Sequence, residues 1–542
     1  MKKRAGTFTG TLRLARLALR RDRVQLPLWL LGTTAVVGAT ASSISGLYPT
    51  AQEQAAYARS NVTSAVSRVF NGVVPDASEG GVVVNETFVI VVVAAVLMSI
   101  MAVVRHTRQN EETGRSEMIG SAVVGRHAAL AAALAVTIGA DLLLAGLVAV
   151  VLVAGGLPVA GSLAAGAAVG AIGAVFAGVA AVTAQITESA RAASGLASAV
   201  LGAAFLLRAA GDGLAPVEDD MTVTSLWPSW LSPIGWGQRV RPFGDEDWWP
   251  LALHAVLLAA LVLIAFRLTD HRDVGTGMLP TRRGPVRAPR ALLSPLGLAW
   301  RLQRGVLYGW AAGMLVMGVA LGAVGNEAEE VLGSSDGLAD MIGRMGGAGD
   351  VVDVFFAAMM SLTGVIVAGY TVQALLRTRA EESGPLEAVL ATAVSRPRWL
   401  LSHVTCAVLG TAAVLLVTGL ANGLAYAAAS GSMEKVPSLL GAAMVQLPAT
   451  LALAGFVVAV IGLLPHRSVA ISWAALGACL LIGQIGPILE LPQAVTNLSP
   501  FSHTPSLPAA DLALTPVAVL AGAALALTAA GVALFRRRDL AF

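Results

Sequence analysis

Two stretches of this chain concentrate charge inside long apolar surroundings, and their residue types suit electrostatic recognition better than bond-making. The first, Arg108 to Arg126 (RQNEETGRSEMIGSAVVGR), carries Arg108, Glu111, Glu112, Glu117 and Arg126; the second, Glu381 to Arg396 (EESGPLEAVLATAVSR), carries Glu381, Glu382, Glu387 and Arg396. Acidic and basic side chains spread over a few helical turns can set register against a partner of complementary charge. Asp141 stands deep in an apolar run, where a carboxylate is expensive and marks either a proton path or a contact between helices. No chain of His, Asp or Glu accompanies it, so the contact is the better reading. Arg208 has Asp212 one helical turn on and suits a structural clamp. Phe88, Met98, Met101, Phe205, Phe355, Phe356, Met359 and Met360 lie on apolar runs. They suit either an adaptable apolar cavity or plain packing.

Several chemistries lack their residues. A phosphate-cradling loop needs a lysine at its end, and the three lysines, Lys2, Lys3 and Lys435, lie in no such loop. The seven histidines form no close pair at metal-ligand spacing, and neither HExxH nor GxSxG occurs. Cys406 and Cys479 fall in apolar runs and suit burial better than a disulfide. The expectation is no catalytic residue, no metal and no cofactor held by this chain.

The elements that must carry these residues follow from composition. With 56% hydrophobic and 13% charged residues and a mean hydropathy of +0.74, the chain lies far from the roughly 25% charge of soluble domains. It reads as an all-α integral membrane protein. Twelve apolar runs are long enough to cross a bilayer core of about 30 Å: about 25–47, 82–104, 127–155, 160–186, 192–210, 250–268, 306–325, 353–375, 398–430, 436–464, 469–487 and 514–534.

These runs form two copies of one unit. Glu111, Glu112, Gly114, Glu117 and Arg126 match Glu381, Glu382, Gly384, Glu387 and Arg396 in register. Leu17-Ala18, Arg20, Arg23 and Trp29 match Leu298-Ala299, Arg301, Arg304 and Trp310; Leu231-Ser232-Pro233 matches Leu498-Ser499-Pro500; Arg272-Asp273 and Arg538-Asp539 close the copies. Such self-similarity sets the architecture: a first repeat over 1–268, an Arg, Pro and Gly-rich tether over 269–294, and a second repeat over 295–542. Six crossings per copy make the repeats parallel. Each copy opens with a cationic amphipathic segment, 8–23 and 295–305, suited to the membrane interface. All of the 36 Lys and Arg except Arg59, Arg68, Arg208, Arg239, Arg241, Arg344 and Lys435 fall at the termini, in the tether and in the loops on one side. The positive-inside rule makes that side cytoplasmic, together with both termini and both charged loops. The length of the first run, about 23 residues, exceeds that of a signal-peptide core. Trp227, Trp230, Trp236, Trp248 and Trp249 suit an aromatic belt at the opposite interface. The net charge of +3 adds nothing that points to nucleic acid.

The segments RQNEETGRSE and RTRAEESGPLE, the stretch WLSPIGWGQRVRPFGDEDWWPL and the closing RRRDL resemble the permease subunits of bacterial ATP-binding-cassette exporters, in the double-length family named for polyketide-antibiotic exporters. The resemblance covers nearly the whole chain. It implies a permease of the bacterial inner membrane with a coupling helix between spans 2 and 3 of each half. It also implies cytosolic ATPase subunits, two copies per permease, that bind ATP and Mg, and hydrophobic drugs or lipid-like metabolites as cargo moved by alternating access. Glu111, Glu112, Glu117, Glu381, Glu382 and Glu387 carry over as coupling residues, with Arg108, Arg126 and Arg396 beside them. Pro385 stands where the first copy has Arg115, and Ser502-His503 stand where it has Gly235-Trp236, so unequal coupling by the halves is expected. Two further classes stay open from the residues: a proton-driven secondary transporter, since those too can be parallel six-span halves, and a non-transporting membrane protein that assembles partners.

Overall fold

Helix dominates because Ala, Leu and Val runs in an apolar medium can satisfy every backbone N–H and C=O only within the segment itself. The computed structural model describes residues 6–219, 222–273, 275–279, 284, 286–325, 351–382, 384, 386–485 and 492–538. Most of the outer segment 326–352, Arg344, Pro385 and Asp539 lie outside the described residues. Twelve described helices are long and apolar enough to cross a membrane. The chain divides into two compact units, Met1–Gly284 and Pro285–Phe542, so the first extends beyond 268 into the expected tether.

In the first unit, α1 (Thr11–Arg21) precedes α2 (Gln25–Leu47), and the short α3 (Ala51–Thr63) and α4 (Ala65–Phe70) lead to α5 (Glu79–His106). Next come α6 (Arg108–Glu112), α7 (Arg115–Gly120), α8 (Ala128–Ala154), α9 (Val159–Ile186), α10 (Ala190–Gly213), α11 (Pro233–Gln238) and α12 (Pro250–Asp270). One short antiparallel ladder, β1 (Val217–Asp219) with β2 (Thr222–Val223), lies among the helices of this otherwise all-α unit. The core is built on α5 and α9, which are buried over most of their length, whereas α10 and α12 leave most of theirs exposed. Small residues allow the closest approach: a Cβ at Gly166 would sit 2.2 Å from the Ala145 carbonyl oxygen of α8, the kind of contact that lets van der Waals packing hold helices in lipid. At the end of the bundle opposite α1, the Arg68 guanidinium caps the carbonyls of Asp212, Gly213 and Ala215. There Trp230 stacks on Trp249 at 5.7 Å with Arg239 3.9 Å above its ring.

The second unit comprises α13 (Pro295–Gly325), α14 (Val351–Glu382), α15 (Leu386–Leu390), α16 (Arg396–Ser430), α17 (Val436–Met444), α18 (Leu447–Leu463), α19 (Ser468–Ile485), α20 (Gln493–Thr496) and α21 (Leu514–Arg537). Its core gathers on α14, α16 and α18 around Tyr370, Trp399 and Phe535. The expected separate interfacial helix over 295–305 is corrected here, because α13 runs unbroken from Pro295 through the span. The run expected over 436–464 forms one span with a bend: Pro448, in the first turn of α18, has no N–H to continue the α17 ladder and its ring obstructs the preceding turn.

Candidate functional site

Each unit ends its basic side in a clasp built from the duplicated charges. In the first, Thr107 ends α5 and starts α6, and Gly114 at φ +72° turns the chain into α7; that left-handed conformation suits glycine. The turn brings Glu111 back against the segment that follows α12. Arg272 grips both carboxylate oxygens, at 2.6 and 2.8 Å, in the bidentate geometry that makes Arg–carboxylate pairs strong. Arg108, fully buried, donates to Glu111 at 2.8 Å and to the Ala184 carbonyl at the end of α9 at 2.7 and 3.0 Å. Arg272 also reaches Gln185 Oε1 at 2.6 Å, and the Met278 and Leu279 amides donate to the Gln185 and Ile186 carbonyls. The start of the expected tether is therefore part of the first unit, because these backbone groups complete the open end of α9. Arg126 completes the clasp by donating to the carbonyls of Thr269, Asp270 and Arg272, a cation at a helix C-terminus where the dipole favours it.

The second unit repeats the arrangement with a shift. Arg396 donates to the Arg538 carbonyl at 2.8 Å, as Arg126 does at the end of α12. Arg538 pairs with Glu382, which Arg379 also holds, and donates to the Ile461 carbonyl at 2.6 Å. Glu381, the register mate of Glu111, turns inward and lies buried with its Oε2 3.3 Å from His403 Nε2 and its Oε1 3.7 Å from Arg377.

The acidic set therefore divides. Glu111, Glu381 and Glu382 are engaged within their own units. Glu112 is exposed and accepts from the Ala190 amide at 3.2 Å, at the N-terminus of α10 where a carboxylate is favoured. Glu117 on α7 and Glu387 on α15 are exposed and form no ion pair among the described residues.

The base of the first clasp is pinned by Asp22, between α1 and α2. Its carboxylate takes Arg105 at 2.6 Å and His106 at 2.6 Å. Burial acts to raise this carboxyl, and the hydrogen bond and charge of His106 together with Arg105 outweigh it, so it is held below its ordinary range. In the second unit the corresponding position is Gln303, which donates from within α13 to His403 Nδ1 at 3.1 Å.

With this geometry in hand, similarity to known proteins places the chain. The family described as "Multidrug efflux system permease Rv1217c, C-terminal domain" matches residues 292–536. The multidrug efflux system permease protein Rv1217c of Mycobacterium tuberculosis is 40% identical over 539 residues, which is 99% of this chain and 96% of that protein. The chain belongs to this family of multidrug efflux system permeases. The resemblance drawn from the charged loops is met at that level, and the twelve apolar helices make this family member a multi-pass membrane protein.

The remaining candidates of the permease separate by burial. Asp141 of α8 is fully buried and accepts from Ser99 Oγ of α5 at 2.8 and 3.0 Å. Gly173 of α9 makes room for it, since a Cβ there would lie 2.5 Å from its Oδ1. The register mate Thr411 also bonds across helices, to the Thr371 hydroxyl at 2.6 Å. Arg208 is buried, 3.6 Å from Asp212, and donates to the Arg68 and Phe70 carbonyls at 3.2 Å each. Phe88 and Met98 are buried in the core of the first unit and Phe205 packs against it. Phe356 and Met360 are buried in the second, with Phe355 edge-on to Phe356; Met359 is half-buried and Met101 exposed. Arg272 and Arg538, which read only as closing anchors, are the residues whose role the sequence hid. Their one visible signal was recurrence at the end of both copies.

Proposed function

We propose that this chain is the permease subunit of an ATP-driven exporter, with two separate ATPase subunits docking against the exposed carboxylates of α7 and α15. The observation that carries this reading is the duplicated clasp. A push on α7 passes to α6, whose Glu111 reaches Arg272 after α12 and whose Arg108 reaches the end of α9, and a push on α15 passes to the end of α14, whose Glu382 reaches Arg538 after α21. Side chains engaged in clasps transmit, and the free carboxylates Glu117 and Glu387 recognise. The basic excess at this end makes it cytoplasmic, with both termini, in a bacterial inner membrane. ATP and Mg belong to the partner, since this chain has no lysine-bearing phosphate loop. The multidrug efflux named for the Mycobacterium tuberculosis relative supports drugs as cargo; that the cargo is hydrophobic or lipid-like and moves by alternating access follows from the resemblance to exporter permeases.

Charge reversal at Glu117 and Glu387 tests the docking. Purification of the double lysine variant from its native membrane is expected to lose a co-purifying ATPase of about two copies while insertion is retained; normal co-purification sinks the reading. Asp141 favours one other reading, a proton-driven carrier, because a buried carboxylate on a spanning helix is able to take up a proton. Loss of transport and of its proton dependence in Asp141→Asn selects it.

A further inference from the structure

Beneath α1 the first unit holds a half-open cavity of about 750 Å³. Its apolar wall is formed by Leu14, Leu17 and Leu130, and its lining includes four arginines, Arg21, Arg115, Arg126 and Arg272, against two carboxylates, Glu111 and Asp273. Two of the cations are spent, Arg272 on Glu111 and Arg126 on helix-end carbonyls. The other two are not. Arg21 donates only to the Asn110 amide oxygen, at 2.7 Å, and neither Arg21 nor Arg115 forms an ion pair among the described residues. Burial and then the charges of Arg115 and Arg105 lower the Arg21 guanidinium from its ordinary value and outweigh the opposite effect of Asp22, as expected where cations crowd.

The second unit shows that the void is specific to the first. Shifting by the repeat register of 270 residues, Ala129 and Ala133 of the cavity correspond to Trp399 and His403. Those two rings are buried and lie 5.0 Å apart. The second unit fills with aromatic rings the position that the first leaves to two methyl groups. Above the cavity, α1 leaves Leu12 and Leu19 exposed beside its arginines, the pattern of a helix lying in a membrane interface.

We propose that this cavity binds an acidic phospholipid from the leaflet at the basic end, its phosphate between Arg21 and Arg115 and an acyl chain along Leu14, Leu17 and Leu130. The unpaired cations ask for an anion, the leucines ask for a hydrocarbon chain, and an amphipathic roof leaves the site open to the lipid surface. This assignment is independent of how transport is energised.

Titration of the purified full chain in mixed micelles with phosphatidylglycerol or phosphatidylcholine, read by thermal midpoint and by native mass spectrometry, tests it. Phosphatidylglycerol is expected to bind selectively and to raise the midpoint. Arg21→Gln with Arg115→Gln is expected to weaken it about thirtyfold, two cations at the strength typical of basic residues near anionic lipid. Ala129→Trp, which leaves the rim charges in place, is expected to abolish binding by filling the void. Arg13→Gln with Arg16→Gln, on the same helix outside the cavity, is expected to keep most of it. Equal binding of phosphatidylcholine overturns the proposal. So does unchanged binding in Ala129→Trp, or an equal loss in the Arg13/Arg16 variant, which means surface charge alone. Displacement by glycerol phosphate at the lipid's own concentration makes the ligand a soluble organophosphate and overturns the phospholipid.

Discussion

The first unit closes its basic end with Arg272 gripping Glu111, and the second with Arg538 reaching Glu382, one residue further along the duplicated motif. The displaced Glu381 lies beside His403, which also takes Gln303, the register mate of Asp22. In the first unit Asp22 turns instead to Arg105 and His106, α1 separates from α2, and a cavity opens where Trp399 and His403 stand in the second. Duplication has thus kept the connection between charged loop and last span, and has let the layer beneath it diverge. What a unit needs for its own integrity is the clasp; the layer around Asp22 or His403 is where the halves were free to differ.

The largest effect should come from cutting the clasp itself. Arg272→Ala takes both bidentate bonds from Glu111, which keeps Arg108 alone, and removes the donor to Gln185; hydrogen bonds to charged groups are worth about 1.5–3 kcal/mol each, so a loss of about 3 kcal/mol is expected. Arg538→Ala should cost a similar amount through Glu382. Denaturant-dependent unfolding in detergent measures both. A loss below about 1 kcal/mol in one unit alone would mean that only the other depends on its clasp and that duplication did not conserve it.

The layer beneath should respond less and in opposite ways. Asp22→Asn removes the charge from two buried or half-buried partners and is expected to cost about 2 kcal/mol, in the range for hydrogen bonds to charged groups. Gln303→Leu breaks a neutral hydrogen bond inside a continuous helix and should cost about 1 kcal/mol. Equal costs would show that Gln303 does in the second unit what Asp22 does in the first.

These differences also mark where sequence ceased to be informative. The twelve spans were legible because hydropathy over about 20 residues decides a membrane crossing locally. The clasps were not, since Glu111 and Arg272 are joined across 161 residues and no periodicity encodes such a pair. Glu381 and Glu111 are identical residues in register, yet one is beside His403 and the other held by Arg272, because Leu375 and Leu376 replace Arg105 and His106 at the foot of the preceding helix. Residues 295–305 misled for the same reason: an amphipathic pattern describes α1 and the start of α13 equally well, and whether a break follows depends on a carboxylate finding Arg105 and His106 some 80 residues away.

A smaller effect tests the intramembrane pair. Asp141→Thr installs in the first unit the residue type that the second carries at Thr411, and the Thr hydroxyl can bond Ser99 as Thr371 bonds Thr411. A stability change within about 1 kcal/mol is expected, typical for polar contacts between helices in membranes. Unfolding in detergent reads this directly, and retained transport in the same variant shows that the carboxylate acts as a contact. Lost transport with retained stability would give Asp141 a role that Thr411 does not share.

The subtlest difference between the units is in their acid response. The Asp22 carboxyl is held below its ordinary value, so it binds its proton less readily folded than unfolded. Its stabilising contribution is therefore complete above the ordinary carboxylate range, near about pH 4, and is lost as the pH falls through the lowered value. Gln303 does not titrate and can contribute no such limb. The gap in thermal midpoint between the unsubstituted chain and Asp22→Asn should close as the pH falls below about pH 4. The corresponding gap for Gln303→Leu should stay flat across the same range. A gap for Asp22→Asn that widened on acidification would mean that the carboxylate is destabilising where it sits, and that His106 and Arg105 are held by something other than its charge.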